Sequence, residues 1–307
     1  MTPITELLKA TEAAAIATAP WIGTGDKINA DKAATEAMRR QLNQAPLLSA
    51  HVVIGEGKKD QSYGLFDGEQ VGGAAGSKIT ERYDLAVDPI EGTRPVVTSG
   101  PEALSVIAVG DEKSFFKTDA FYMLKLAYGY HIARKTTLDL SEPLERIIQK
   151  VTAVTDKKNE NIVVCLLDRP RHKHWIEQLR ALRVRIKLIQ DCDISASIAT
   201  CLPESGIDLV YGVGGAPEAV ITACAMKCLR GGFQAQVAGA DGTSIPDAPI
   251  HDIGDLVKSE CGFSATGITN GSLLRGIRYT TRGPVTNSVI MDSKTGDVRW
   301  LTTYHGA

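Results

Sequence analysis

The sequence LAVDPIEGT, residues 85–93, places two carboxylates and a hydroxyl directly after a short apolar run. The run 85–87 is typical of an interior strand, so Asp88 should lie at its carboxyl end. Pro89 lacks the amide hydrogen that a central ladder needs, which predicts that the strand stops there. Gly92 then permits a tight backbone path beside a ligand.

Asp88, Glu91 and Thr93 together indicate a metal-assisted hydrolytic site. Carboxylates three residues apart across a turn can converge on one or two hard cations. A cation held there would polarise a phosphoryl oxygen and activate water, and Thr93 would orient that water. The alternative is an ordinary acidic turn after a strand. The complete combination DPIEGT after a strand favours the site.

The composition is that of a globular protein: 307 residues, 43% hydrophobic and 23% charged, enough for one large or two moderate domains. A formal net charge of -2 offers no basic excess for binding nucleic acid. No apolar run reaches the length of a membrane span, and the first residues lack the basic region of a signal peptide. The six cysteines lie in apolar segments, as expected for reduced thiols in a cytoplasmic protein.

Strand-like and helix-like segments alternate in the second half of the chain, which predicts an α/β fold with a parallel region. The patterns predict helices over 4–18, 31–44, 172–182, 193–201 and 217–229, and strands over 51–54, 85–88, 103–110, 162–167, 184–189 and 207–211. Residues 66–82 are expected to form a loop or hairpin, and 261–303 several short strands. The polar sequence 157–160 predicts a division into 1–156, with most metal ligands, and 157–307, with the sugar-phosphate contacts and one metal ligand.

Further carboxylates stand beside glycines or at predicted element ends, where an α/β fold gathers a site. Asp31 opens the second predicted helix, and N-capping explains it as well as ligation does. Glu56 follows a strand between two glycines, where a charge needs a partner. Glu218 lies in the first turn of a predicted helix, where interaction with the helix dipole is the alternative.

Three segments are candidates for binding a phosphorylated sugar. Gly214-Gly215 precedes a helix and offers free N–H groups. Arg169-Pro170-Arg171 ends a strand and could bind phosphate, although solvated charge is the simpler explanation. Asp191-Cys192-Asp193 could accept hydrogen bonds from sugar hydroxyls, or Asp193 could cap the next helix. A nucleophilic-serine elbow and a dinucleotide fingerprint are both absent from the sequence.

Taken together, the motifs resemble those of the class II fructose-1,6-bisphosphatases, in the lithium-sensitive, metal-dependent sugar and inositol phosphatase superfamily. The matching segments occur in family order along nearly the whole chain: GDKINAD (25–31), VVIGEG (52–57), DLAVDPIEGTR (84–94), FYMLKL (121–126), DRPRH (168–172), DCDISASI (191–198), YGVGGAPEAV (211–220) and FSATGIT (263–269).

The resemblance implies a layered αβαβα sugar-phosphatase fold and removal of the 1-phosphate of fructose 1,6-bisphosphate with Mn²⁺ or Mg²⁺, in gluconeogenesis. It implies Thr93 as the residue that positions or activates water, helped by Asp31. The implied metal ligands are Asp31, Glu56, Asp88, Glu91 and Glu218. The implied substrate contacts are Glu91, Gly92, Thr93, Tyr122, Arg169, Pro170, Arg171, Asp191, Cys192, Asp193 and Gly215. Relatives also suggest a homo-oligomer, a dimer or tetramer.

The chain departs from the family pattern at four positions and in one segment. Lys58 stands where a second glutamate is usual, Cys192 replaces the middle glycine of DGD, and Lys32 and Ala219 also replace glycines. The segment after Phe233 is shortened. Two alternatives therefore accompany the main prediction: another sugar bisphosphate as substrate, such as sedoheptulose 1,7-bisphosphate, or a catalytically weak paralogue that binds sugar phosphate.

Overall fold

The computed structural model describes residues 4–46, 48–57, 62–73, 81–239, 241–243 and 245–306. The helices are α1 Ile4–Thr18, α2 Lys27–Gln44, α3 Thr93–Thr98, α4 Tyr130–Ala133, α5 Leu144–Thr155, α6 Lys173–Ala181, α7 Asp193–Ala199, α8 Ala216–Cys228 and α9 Ile253–Leu256. The strands are β1 Ser49–Ile54, β2 Gln70–Gly72, β3 Tyr83–Glu91, β4 Leu104–Asp111, β5 Tyr122–Tyr128, β6 Val163–Leu167, β7 Arg185–Ile189, β8 Leu209–Gly215, β9 Gly232–Ala238, β10 Ile250–Asp252, β11 Cys261–Gly267, β12 Arg278–Thr280, β13 Gly283–Asp292 and β14 Val298–Tyr304.

The strands form two mixed sheets with flanking helices, consistent with the predicted α/β sugar-phosphatase fold. One sheet has the order β12-β13-β11-β4-β3-β1-β2, with β14 pairing on β13. The other has the order β10-β9-β5-β8-β6-β7. In the second sheet β6 runs parallel to both β7 and β8, which confirms the parallel region expected from the alternation of strands and helices.

The chain divides into two compact units, 1–117 with 257–307, and 118–256. The first contains the sheet with β3, and the second contains the sheet with β5. The predicted boundary at 156/157 falls inside the second unit, between α5 and β6. The difference has a topological cause: strands β11 to β14 pair with β4 and with one another, so the last part of the chain returns to the first sheet.

Each unit has its own apolar core. In the first, small and aliphatic residues of α1 and α2, such as Ala10, Ala34 and Met38, lie buried in one cluster with Leu85 and Val87 of β3. The apolar side chains on both faces of β3 explain why this strand lies in the interior of its sheet. In the second unit, the core combines residues of α5 and α6 with those of β5, β6 and β8.

Two of the predicted element ends that differ from the structure lie beside candidate site residues. The strand after residue 84 does not stop at Pro89 but reaches Glu91, because its ladder with β4 is interrupted by a bulge between Asp88 and Glu91 and then resumes. The second helix begins at Lys27, not at residue 31.

Asp26 is the N-cap of that second helix, since its carboxylate accepts a hydrogen bond from the amide of Asn29 at 3.1 Å. Asp31 therefore lies in the second turn of α2, and its predicted capping role is excluded. Of the segment 66–82, residues 70–72 form β2, and 74–80 lie outside the described residues.

Candidate active site

The carboxyl end of β3 holds two carboxylates close together. Asp88 Oδ1 accepts a hydrogen bond from the amide of Ile90 at 3.0 Å, which closes a local turn around the proline. A carboxylate oxygen of Asp88 lies within 4.8 Å of one of Glu91. Glu91 is only 5% exposed. Two carboxylates at this separation repel one another when both are ionised, and a cation bound between them would offset that repulsion.

The next two residues start α3 from the same end of β3. Gly92 has a φ of +92°, a conformation that glycine adopts without the strain that a Cβ would bring. Thr93 is the first residue of α3, and its Oγ1 donates a hydrogen bond to Asp31 Oδ1 at 3.0 Å. This hydrogen bond joins residues 62 positions apart in the sequence.

Asp31 is partly buried, and the burial raises the pKa of its carboxyl group above the ordinary value of 3.8. The hydrogen bond from Thr93 and the positive charge of Lys27 oppose this shift. A carboxylate with a raised pKa is a better proton acceptor near neutral pH. Asp31 is therefore suited to accept a proton through the Thr93 hydroxyl to which it is hydrogen-bonded.

Glu56 lies in the loop after β1. Because β1 and β3 are parallel neighbours, their carboxyl ends meet at the same edge of the sheet. Glu56 therefore shares this edge with Asp88 and Glu91. Lys58, the departure from the EGE motif, lies outside the described residues.

In the second unit, the two arginines of DRPRH have different partners. Arg169 Nη2 lies 2.5 Å from Asp191 Oδ1, which joins two of the predicted substrate-binding segments. Arg171 donates to the carbonyl oxygen of Val213 through Nη2 at 2.7 Å and through Nε at 3.2 Å. Its guanidinium carbon also lies 4.8 Å from the ring centroid of Tyr122. Pro170, which lies between the two arginines, begins a single helical turn that ends at His172.

The segment Asp191-Cys192-Asp193 turns sharply into α7. Cys192 is 4% exposed and has a φ of +72°, in the left-handed region that favours glycine. Asp193 is 7% exposed and accepts a hydrogen bond on Oδ2 from Lys125 Nζ at 2.7 Å. The predicted capping role of Asp193 is not observed, because the helix begins at Asp193 and Cys192 is its N-cap.

Glu218 lies in the first turn of α8, as predicted, and its side chain folds back on the preceding backbone. A Cβ on Gly215 would lie 1.9 Å from Glu218 Oε2, so this position has no room for a side chain. Oε2 is buried and has no hydrogen-bond partner among the described residues. Burial raises the pKa of Glu218; the charge of Lys125 lowers it and that of Asp193 raises it.

Sequence reasoning gave no role to Lys125 or His172, and both prove to be buried polar residues of the second unit. Lys125 is the only charged residue of β5, and a lone charge within an apolar strand was an available signal. His172 Nδ1 lies 2.7 Å from the carbonyl oxygen of Leu167, and Nε2 accepts from the amide of Val213 at 2.9 Å. The sequence offered no comparable signal for His172, whose contacts are 5 and 41 residues away.

The donor groups suit a hard divalent cation. Asp88 and Glu91 offer carboxylate oxygens within 4.8 Å of each other at the end of β3. Carboxylate oxygens are the ligands that Mg²⁺ and Mn²⁺ prefer. No helix in the described ranges has both the length and the apolar character needed to cross a membrane.

The comparisons with known proteins agree with the motifs. The sequence model described as "Bacterial fructose-1,6-bisphosphatase, glpX-encoded" matches residues 2–305. The fructose-1,6-bisphosphatase 1 class 2 of Escherichia coli (strain K12) is 36% identical over 322 aligned positions, covering 98% of this chain and 94% of the relative. The class 2 fructose-1,6-bisphosphatases of Escherichia coli O6:H1 and Shigella flexneri match with the same identity and coverage.

Proposed function

Because the chain belongs to the glpX-encoded family of bacterial fructose-1,6-bisphosphatases, we propose that it hydrolyses the 1-phosphate of fructose 1,6-bisphosphate, yielding fructose 6-phosphate and phosphate. This reaction would serve gluconeogenesis. The observation that carries the proposal is the end of β3, where the Asp88 and Glu91 oxygens lie within 4.8 Å of each other and Thr93 is hydrogen-bonded to Asp31.

We infer that Mn²⁺ or Mg²⁺ binds to Asp88 and Glu91, which lie on either side of Pro89. Three further carboxylates are assigned as ligands by their match to the family motifs. The proposed ligands are Asp31, Glu56, Asp88, Glu91 and Glu218. When bound, such a cation polarises the phosphoryl group and offsets the charge that develops on it. The bulge in β3 supports this assignment, because it keeps Asp88 and Glu91 at one end of the strand.

Thr93 and Asp31 handle the attacking water in this mechanism. Thr93 Oγ1 donates to Asp31 Oδ1 and so presents its own lone pairs to a water hydrogen. As the water oxygen bonds to phosphorus, its proton passes to Thr93 Oγ1 and the threonine proton passes to Asp31 Oδ1. The bond from phosphorus to O1 of the sugar breaks, O1 takes up a proton from solvent water, and Asp31 later releases its proton to solvent.

Two segments, 169–171 and 191–193, provide charged groups that hold the substrate in the proposed complex. Guanidinium groups recognise phosphate through paired N–H donors, which suits Arg169 and Arg171. Asp191 and Asp193 accept hydrogen bonds from sugar hydroxyls. The remaining proposed contacts are Glu91, Gly92, Thr93, Tyr122, Pro170, Cys192 and Gly215.

We also infer that the protein acts in the cytoplasm as a homo-oligomer, a dimer or tetramer. The cysteines support the location: none of the six forms a disulfide, and all but Cys201 are buried. Sedimentation of the purified protein measures the oligomeric state; a monomer at micromolar concentration would refute that part of the proposal.

A panel of phosphate esters tests the proposed reaction. We expect phosphate release with Mn²⁺ to be fastest from fructose 1,6-bisphosphate. Sedoheptulose 1,7-bisphosphate is the informative competitor, because Cys192 adds bulk where the family has glycine. Faster release from that sugar would move the assignment to a different bisphosphate, and no release from any ester would favour a sugar-phosphate-binding paralogue.

A further inference from the structure

Lys125 lies in the middle of β5, a central strand of the second sheet. It is paired with Gly212 of β8 on one side and with Ala235 of β9 on the other. Both neighbours are small, which leaves space for a long side chain. Lys125 is only 1% exposed, and within the described residues it is among the largest side chains that are fully buried. An ammonium group at this depth requires a counter-charge.

Asp193 provides that counter-charge through a short ion pair, with Nζ 2.7 Å from Oδ2. Gly214 packs directly against the pair: a Cβ there would lie 2.1 Å from Asp193 Oδ2 and 3.0 Å from Lys125 Nζ. The pair is therefore held in one arrangement by the surrounding backbone. Buried ion pairs of this kind often stabilise a fold less than apolar side chains of the same size, so stability alone does not explain the lysine.

The geometry leaves one oxygen of Asp193 available. Oδ2 is occupied by Lys125, and within the described part of the chain Oδ1 has no hydrogen bond. The carboxylate cannot rotate to exchange its oxygens without breaking the pair. By holding Oδ2, Lys125 also fixes the orientation of Oδ1. Substrate-binding groups are commonly oriented in this way by hydrogen bonds from neighbouring residues.

We propose that Lys125 is a positioning residue for the substrate: by fixing Oδ2 of Asp193, it presents Oδ1 to a hydroxyl group of the bound sugar phosphate. The inference rests on the proposed function, because it takes Asp193 as a sugar contact. In this role Lys125 does not touch the substrate and acts through Asp193.

Replacing the lysine with a neutral side chain of similar length, Lys125→Met, tests this role through product inhibition. Fructose 6-phosphate carries the sugar hydroxyls, and inorganic phosphate does not. We expect the inhibition constant for fructose 6-phosphate to rise about tenfold, as for one misplaced hydrogen bond to a charged group, while that for phosphate changes less than about threefold. The KM for fructose 1,6-bisphosphate should rise together with the fructose 6-phosphate inhibition constant, and kcat should change less.

Equal weakening of both inhibitors, or no change in either, would overturn the proposal. An equal loss would mean that the lysine supports the whole site and not Asp193 in particular. The same comparison in an Asp193→Asn background is the control: there, adding Lys125→Met should change the fructose 6-phosphate constant by less than about threefold, because the group it positions is already altered.

The single variant leaves Asp193 buried without its partner and can fail to fold. The double variant Lys125→Met/Asp193→Asn removes both charges of the ion pair and keeps the test decisive. If it binds fructose 6-phosphate tenfold more weakly than Asp193→Asn alone, Lys125 acts independently of Asp193 and the proposal is wrong.

Failure of the proposed function has a different signature. A wild-type protein that releases phosphate from no sugar phosphate would refute the enzymatic assignment, and calorimetric titration with fructose 6-phosphate would then test Lys125 directly. Wild-type activity combined with unchanged fructose 6-phosphate binding in Lys125→Met would refute only the role of the lysine.

Discussion

The proline between the carboxylates of β3 has no amide hydrogen to donate, and one extra residue interrupts the ladder with β4 at that point. Asp88 pairs with Val106, and Glu91 pairs with Leu104. Because the ladder resumes after the bulge, Glu91 stays attached to the sheet. A break at Pro89, as the sequence suggested, would have left Glu91 on a free loop.

Thr93→Ala removes the hydroxyl that links water to Asp31. We expect kcat for fructose 1,6-bisphosphate to fall about a hundredfold or more, with KM little changed, because the loss affects proton transfer more than binding. Thr98→Ala, which removes a hydroxyl bonded to the carbonyl of Arg94 at the other end of α3, is the matched control. Full activity in Thr93→Ala would eliminate the proposed mechanism.

Cys192 holds a left-handed conformation that costs a residue with a Cβ about 1 kcal/mol. Two variants that both lack the thiol isolate this cost. We expect Cys192→Gly to exceed Cys192→Ala in free energy of unfolding by about 1 kcal/mol, measured by urea denaturation. An alanine variant at least as stable as the glycine variant would show that the turn carries no such strain.

At the scale of elements, His172 connects the segment before α6 to two strands. Its ring bonds to the end of β6 through Leu167 and to β8 through Val213. Val213 also accepts from Arg171 through its carbonyl oxygen. His172 therefore helps to fix β8, and Val213 of that strand in turn holds Arg171 of the proposed phosphate site.

Both contacts require a neutral ring that donates at Nδ1 and accepts at Nε2. Burial lowers the pKa of His172 below its ordinary value of 6.5, an effect that the hydrogen bonds to Leu167 and Val213 partly offset. The unfolded chain therefore binds a proton near pH 6.5 while the folded chain does not. Stability is full above that pH and falls as the pH drops toward the folded-state pKa.

We accordingly expect the urea midpoint to decrease between pH 7.5 and pH 5.5, and His172→Gln to weaken this dependence. His131, whose pKa burial also lowers, gives the comparison variant His131→Gln, with a smaller effect because its ring is less deeply buried. A pH dependence that is the same in wild type and His172→Gln would contradict the argument.

Elements with a clear apolar period could be predicted from the sequence. The first helix has its predicted bounds. α6 and α8 differ from their predicted ranges by one residue at each end, and β6 differs by one residue at its start. Element ends set by local chemistry were harder. The start of α2 depends on which of two aspartates caps it, and only the structure shows that Asp26 accepts the amide of Asn29.

At the scale of the whole chain, the sequence revealed the motifs but not their division between compact units. The carboxylates at 31, 56, 88 and 91 could be predicted as candidates because each lies within a segment that matches a family motif. The return of β11 to β14 to the first sheet could not, since strand pairing over more than 140 residues leaves no local pattern. Lys125 was missed because the partner of a buried charge is set by the tertiary fold.

Removal of the bound metal should abolish the phosphatase activity. We expect chelation followed by gel filtration to leave a folded, inactive protein, and Mn²⁺ or Mg²⁺ to restore turnover. Asp88→Asn should lower the restored rate by at least about a hundredfold, because it weakens ligation at the shared end of β3. Glu112→Gln, an exposed residue just after β4, is the control and should behave as wild type. Normal Mn²⁺ dependence in Asp88→Asn would refute the ligand assignment.

Anomalous scattering from crystals grown with Mn²⁺ and fructose 6-phosphate measures the central claim most directly. We expect a manganese peak at about 2.0–2.3 Å from carboxylate oxygens of both Asp88 and Glu91, with the sugar phosphate bound nearby. Manganese found only at other carboxylates, with these two unligated in the presence of product, would contradict the account.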